Sequence, residues 1–183
     1  MALTSRFKKI VLTLLFFPLS GMALQNSIAL SYGSDLGSLG EPSGVMGGNI
    51  AYLLQPDSWQ WGHFSLGLNF SYGFWKTTDY ADHQTISTYA IAPVLRWYFL
   101  NNSMATPFLQ GSVGGAVLSS QYFGDRNLGT SILFQDQGGI GLAFGASKDV
   151  FATMEAIHYS NCGMNDQNGG LTVPLFLTVG TRF

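Results

Sequence analysis

The chain has 183 residues, a length that suits a single domain. Only 10% are charged, against about 25% in an average soluble domain, while 14% are aromatic and 23 are glycine. This composition excludes a disordered chain, and no apolar run reaches the roughly 18 residues of a spanning helix, so a soluble all-β domain and a membrane β-barrel remain.

Residues 1–23 have the form of a secretory signal peptide. Arg6, Lys8 and Lys9 give a positive start, Ile10 to Phe17 is a short apolar core, and Gly21-Met22-Ala23 is a small-x-small cleavage site. Its removal would leave residues 24–183 as the mature domain, with five basic and ten acidic residues and a net charge of −5. No basic patch survives, which argues against nucleic acid as a partner. The single cysteine, Cys162, cannot form an intramolecular disulfide.

From residue 25 onward the pattern has period two. Strands are expected near 25–33, 47–55, 62–75, 86–100, 105–119, 128–145, 148–161 and 171–183. In 62–75, Phe64, Leu66, Leu68, Phe70, Tyr72 and Phe74 share one face, and Ser65, Gly67, Asn69, Ser71 and Gly73 share the other. In the last segment Leu171, Val173, Leu175, Leu177, Val179, Thr181 and Phe183 are expected on one face, opposite Thr178, Gly180 and Arg182. Periodicity alone leaves either face free to be the inside. A membrane barrel is favoured by aromatics at strand ends (Trp59, Trp61, Phe74, Trp75, Trp97, Tyr98, Phe99), by small polar residues on the opposite face, and by the terminal Phe183. Loops alternate between long (34–46, 76–85, 120–127, 162–170) and short (56–61, 101–104, 146–147), as in outer-membrane barrels. The glycine-rich stretch 161–170 has the composition of a mobile loop. The fold expected is therefore all-β: an eight-stranded antiparallel transmembrane β-barrel of outer-membrane type.

The segment 148–161 carries the chemistry. His158 and Ser160 are two apart, share a strand face, and lie roughly 7 Å apart at Cα, within reach of an imidazole–hydroxyl hydrogen bond. Glu155 belongs to the other face and is too costly to hold in lipid, so that face should be the lumen and the His158/Ser160 face the outer wall. A polar pair there is either an interfacial position or a nucleophile and base aimed at a lipid headgroup. His63 and His83 are isolated, and the three histidines show no metal-ligand spacing, so no metal or cofactor is expected. Asp79 and Asp82 read as solvated loop residues. Asp136, between Gln135 and Gln137, reads as a member of a buried polar network. Gly138-Gly139-Ile140-Gly141 lacks a strand-to-helix context and reads as close packing inside a narrow barrel.

Asp125-Arg126-Asn127-Leu128-Gly129-Thr130-Ser131, Phe134-Gln135-Asp136, Gly139 to Phe144, and above all Ala156-Ile157-His158-Tyr159-Ser160-Asn161-Cys162-Gly163 resemble the outer-membrane lipid A 3-O-deacylase family. The close resemblance covers 125–171; upstream the similarity is one of strand pattern. It implies an eight-stranded barrel in the outer membrane of a Gram-negative bacterium, with its active site on the outer wall at the extracellular surface. It implies Ser160 as nucleophile, His158 as general base, and lipid A of lipopolysaccharide as the partner, with a homodimer open. Backbone N–H groups at Asn161 and Gly163 are the expected oxyanion donors, because the chain leaves the strand ladder there.

The family's third residue, a glutamate twelve positions after the serine, falls on Thr172 here. A threonine can orient an imidazole but cannot offset its charge, and Asp166 in the loop is the alternative acid. Cys162 stands where the family has a small residue, and is expected to face away from Ser160. Two other readings stay open: a barrel that keeps the scaffold without the activity, and a soluble periplasmic barrel that binds an apolar ligand.

Overall fold

In the computed structural model, residues 24–35, 44–78, 82–100 and 104–183 are described. Residues 1–23, expected to be a signal peptide, and residues 36–43, 79–81 (with Asp79) and 101–103, expected in loops, lie outside them.

Eight long strands form the wall: β1 (Ser27–Ser34), β2 (Val45–Leu54), β3 (Phe64–Thr77), β4 (Thr85–Tyr98), β5 (Ala105–Leu118), β6 (Ile132–Phe144), β7 (Val150–Ser160) and β8 (Leu171–Arg182). Each pairs antiparallel with its sequence neighbours, and β1 pairs with β8 from Ser27↔Arg182 to Ser34↔Leu175, so the sheet closes without a free edge. Closure satisfies the backbone groups that lipid cannot. With 14 residues each, β3, β4 and β5 exceed the roughly 9–11 needed to cross a bilayer.

Burial alternates as a lipid-facing barrel requires. Leu30, Tyr32, Tyr89, Val113, Ile132, Leu177 and Val179 stand outside. Trp61, Phe64, Trp97 and Phe99 form an aromatic belt on the outside of the short-turn end, with ring centroids 5.7–6.4 Å apart, the first three rings stacked and Phe99 tilted against Trp97. Inside, the short-turn half holds a polar network. Glu155 accepts hydrogen bonds from Gln110 Nε2, from Thr153 Oγ1 at 2.7 Å and from Thr178 Oγ1 at 3.3 Å. Arg96 Nε donates to Gln110 Oε1 at 2.8 Å, and its guanidinium lies over Phe108 and Phe151. Glu155 therefore faces the lumen, as its charge requires. Gly139 and Gly141 give room to Glu155 and to the Phe108 ring, the close packing expected of that glycine run.

The long-loop half is plugged by apolar side chains, including Trp75, Ile86, Ile157, Tyr159, Leu171, Val173 and Phe176. Trp75 and Tyr98 were expected in the outer aromatic belt. Trp75 is instead fully buried in the plug, packed on Tyr159 and Phe176, and Tyr98 turns inward beside Phe108. Between β5 and β6, a small hairpin pairs Tyr122–Phe123 with Arg126–Asn127 and drops Phe123 and Leu128 into the barrel mouth. The strand expected to begin at 128 thus begins at Ile132, because Leu128 serves as part of the stopper. Each such side chain contributes about 1.5–3 kcal/mol on burial.

The alternation expected for β8 holds only in its second half. Phe176 pairs with Glu155 but Val173 with Ile157, so two residues, Pro174 and Leu175, oppose the single Ala156. This is a β-bulge, placed at a proline that has no N–H to give the ladder. It reverses the parity: Leu177 and Val179 face out, whereas Leu171 and Val173 face in and are fully buried. Thr172 consequently faces out.

Candidate active site

β7 holds its outward residues in place through their inward neighbours. Ile157 and Tyr159 are buried in the plug at 0% and 1% exposure, and a one-residue slip would bring both into lipid together with Glu155. His158 and Ser160 are therefore fixed on the outer face, at the end where β7 runs into the 161–170 loop.

Two neighbours flank His158 on that face. Across β8 it pairs with Thr172, and His158 Nδ1 lies 2.7 Å from Thr172 Oγ1. Across β6 it pairs with Asp136. Asp136 does not belong to the interior network: it shares the outward parity of Ile132, Phe134, Ile140 and Leu142, while Gln135 and Gln137 on either side face in. A strand alternates whatever its local polarity, so a polar run is split between the two faces. Ser160 pairs with Phe134. Its hydroxyl lies 3.7 Å from Cys162 Sγ and makes no hydrogen bond to His158 among the described residues. The thiol therefore adjoins the hydroxyl, contrary to the expectation that it faces away: Cys162 is two residues from Ser160, the same spacing that puts His158 and Ser160 on one face, so parity itself sets the two side by side. Asp166 is exposed in the loop, and the Nδ1 side of the ring is occupied by Thr172.

The loop is tied down, although its composition suggested mobility. Residues 161–164 form a tight turn: Met164 N–H donates to Asn161 O at 3.0 Å, with positive φ at Cys162 (51°) and Gly163 (77°). Left-handed backbone costs a non-glycine residue about 1–2 kcal/mol. Asn161 offsets that strain. Fully buried, it donates from Nδ2 to Leu128 O (3.1 Å) and Gln167 O (2.6 Å), and accepts the Gly163 N–H on Oδ1 at 2.9 Å. The Asn161 N–H in turn donates to Asn168 Oδ1 at 3.1 Å. The two N–H groups expected to await an oxyanion thus already carry side-chain acceptors. The Cys162 N–H between them has none among the described residues.

The 122–127 hairpin braces the other side of the loop. Gly169 N–H donates to Asn127 O at 3.0 Å, and Arg126 Nη1 donates to Gly170 O at 3.1 Å. Gly170 has φ +56°, and a Cβ there would meet His158 Cε1 at 3.3 Å, so the loop passes directly over the imidazole edge. Sequence reasoning missed the roles of Arg126 and Asn168. Neither bears a local signal, since both act through partners distant in the chain or across a turn. The outward placement of Asp136 was available from its parity with Phe134 and Ile140.

The family model described as "Lipid A 3-O-deacylase (PagL)" matches residues 46–179. The lipid A deacylase PagL of Pseudomonas aeruginosa is 37% identical over 101 residues, which span 55% of this chain and 55% of that one. The lipid A deacylase PagL of Bordetella bronchiseptica is 23% identical over 113 residues, 62% of this chain and 60% of that one. The alignments thus span little more than half the length of these relatives. Among solved structures, the outer membrane enzyme PagL superposes with a TM-score of 0.64 at 26% identity, covering 85% of this chain and 98% of that one. Neisserial surface protein A superposes with a TM-score of 0.52 at 16% identity, over 90% of this chain and 98% of that one, a likeness of fold alone. The closed eight-stranded barrel, its apolar outer wall and the match over 46–179 together make this chain a member of the lipid A 3-O-deacylase (PagL) family, a barrel of the Gram-negative outer membrane.

Proposed function

We propose that this chain is an esterase that removes the 3-O-linked 3-hydroxyacyl chain from lipid A, with Ser160 as nucleophile and His158 as general base. The observation that carries the reading is the outward placement of His158 and Ser160 at the long-loop end, with His158 Nδ1 held by Thr172. That contact leaves Nε2 for the serine proton. Ser160 Oγ attacks the ester carbonyl as its proton passes to Nε2. The tetrahedral intermediate then collapses, the sugar 3-oxygen leaves with that proton, and water hydrolyses the acyl-enzyme by the same route in reverse.

The Ser160 hydroxyl must rotate from Cys162 towards the imidazole, a χ1 change at a half-exposed residue, and hydrogen bonds at such sites often tighten only when substrate is bound. The open N–H of Cys162 is the donor ready for the oxyanion. The N–H groups of Asn161 and Gly163 would serve if Asn168 Oδ1 and Asn161 Oδ1 gave way. The lipid-facing site is reached by lateral diffusion of substrate within the outer leaflet, with no tunnel needed. The test uses the refolded barrel in detergent with purified lipid A, read by mass spectrometry. The wild type should shed one 3-hydroxyacyl chain and Ser160→Ala none; shedding that survives Ser160→Ala contradicts the assignment.

One observation favours a second reading, a barrel that has kept the scaffold and lost the activity. Thr172 stands where the resemblance calls for a carboxylate. Labelling of Ser160 by a fluorophosphonate, abolished by His158→Asn, argues against that reading.

A further inference from the structure

We propose that Asp136 supplies the negative charge that Thr172 does not, acting as a positioning residue for His158 from the opposite strand; this rests on the deacylase reading above. The register sets the two residues directly across the β6–β7 pair on the outer face. Opposed residues of an antiparallel pair hold their Cβ atoms about 4.5–5.5 Å apart. Asp136 is half-buried, and its carboxylate has no hydrogen bond or ion pair among the described residues. Its partner on the other side, across β5, is Val113, and Phe134 precedes it on the same face. An ionised carboxylate on a lipid-facing wall is costly and needs a counter-charge. His158 is the titratable side chain paired with it.

The remaining groups around His158 leave this role vacant. Thr172 on β8 is neutral and bonds Nδ1. Glu155 on β7 faces the lumen. Asp166 is exposed in the loop, and Arg126 of the hairpin is bound to the Gly170 carbonyl and carries the wrong sign. When His158 takes the Ser160 proton, the imidazolium forms on the residue directly across the ladder from Asp136, where a carboxylate opposes the new positive charge by Coulomb attraction. The outer face thus divides between two strands what one carboxylate ordinarily does. Thr172 orients the ring from β8, and Asp136 balances its charge from β6. The same carboxylate is present before and after proton transfer, so it lowers the barrier without lowering substrate affinity.

The test is a four-variant cycle: wild type, Asp136→Asn, Thr172→Glu and the double variant, assayed for kcat and KM on lipid A. Asp136→Asn should lower kcat by about 10- to 100-fold, the scale of one charge at this range in a half-solvated setting, with KM within about twofold and Asp136→Glu restoring most of the loss. In the Thr172→Glu background, where β8 supplies the charge, Asp136→Asn should cost less than about threefold, the non-additivity expected of two groups serving one proton transfer. An equal loss in both backgrounds would mean that Asp136 is structural or binds substrate, and no loss in the wild-type background would also overturn the proposal. Fluorophosphonate labelling rates of Ser160 in the same four proteins separate the two claims. If labelling follows the predicted pattern but lipid A is not cleaved, the substrate assignment fails and the role of Asp136 stands. A wild type that neither cleaves nor labels, beside an active Thr172→Glu, shows that Asp136 supplies no effective charge.

Discussion

His158 Nδ1 and Thr172 Oγ1 meet at 2.7 Å across the β7–β8 pair, on the lipid-facing side of the barrel. The bulge at Pro174–Leu175 makes this contact. Without it, Thr172 would share the inward parity of Phe176 and Thr178. A threonine hydroxyl can accept a hydrogen bond from Nδ1–H or donate one to bare Nδ1, so it fixes the ring's position better than its tautomer. A carboxylate can only accept, and thereby holds the tautomer in which Nε2 is free to act as base.

Thr172→Glu should therefore raise kcat. In a well-studied triad the wrong tautomer costs about 10⁴, which bounds the gain from above; an increase on the order of 10²-fold is expected, measured as initial rates of acyl release. Thr172→Val removes the contact altogether and should lower kcat by about tenfold, the worth of one net hydrogen bond. A rate unchanged in both variants would detach Thr172 from the imidazole.

Asn161→Ala should disable the site and spare the barrel. It strands the Leu128 and Gln167 carbonyls and the Gly163 N–H, at about 1–3 kcal/mol for each group left buried and unpaired. The loss is local because those partners lie in the loops. Hydrogen exchange should accelerate at residues 161–170 and at Leu128, with β1–β8 still protected, and kcat should fall at least tenfold. Uniform loss of protection across the strands would show that the loop is part of the barrel's cooperative unit.

Inside and outside can be separated by a pair of substitutions. Glu155→Ala leaves Gln110, Thr153 and Thr178 without their common acceptor. It should lower unfolding stability by a few kcal/mol, about 3–5 if Arg96 relies on that network for its charge, while folded protein keeps its kcat. Leu177→Arg places a charge on the outer wall near mid-strand and should cost about 2–4 kcal/mol in a bilayer but much less in detergent. Urea titrations in liposomes and in micelles measure both. Equal costs for Leu177→Arg in the two media would contradict its lipid exposure.

The eight strands, their closure and the faces of β3 and β7 were legible in the sequence, because glycine, serine and charge alternate there with large apolar residues. β8 was not. Leucine and valine suit both the plug of the upper lumen and the lipid outside, so Leu171, Val173, Leu177 and Val179 form one unbroken pattern although the wall reverses between them. Pro174 was the available cue, since a proline inside a strand marks a bulge or an edge. Trp75 was misplaced for the same reason: an aromatic ring at a strand end fits an interfacial belt or a stopper equally well. His158 and Ser160 stood out through parity and the local block. Their supports are long-range, with Arg126 and Leu128 more than thirty residues from the turn they brace, and no local pattern announces them.

The most direct measurement is the mass of the Ser160 peptide, isolated by acid quench during turnover on lipid A. The account predicts an added 3-hydroxyacyl ester on Ser160, absent in Ser160→Ala and accumulating in variants slowed in hydrolysis. Release of the acyl chain with Ser160 unmodified, or with the acyl group found on Cys162 instead, would contradict it.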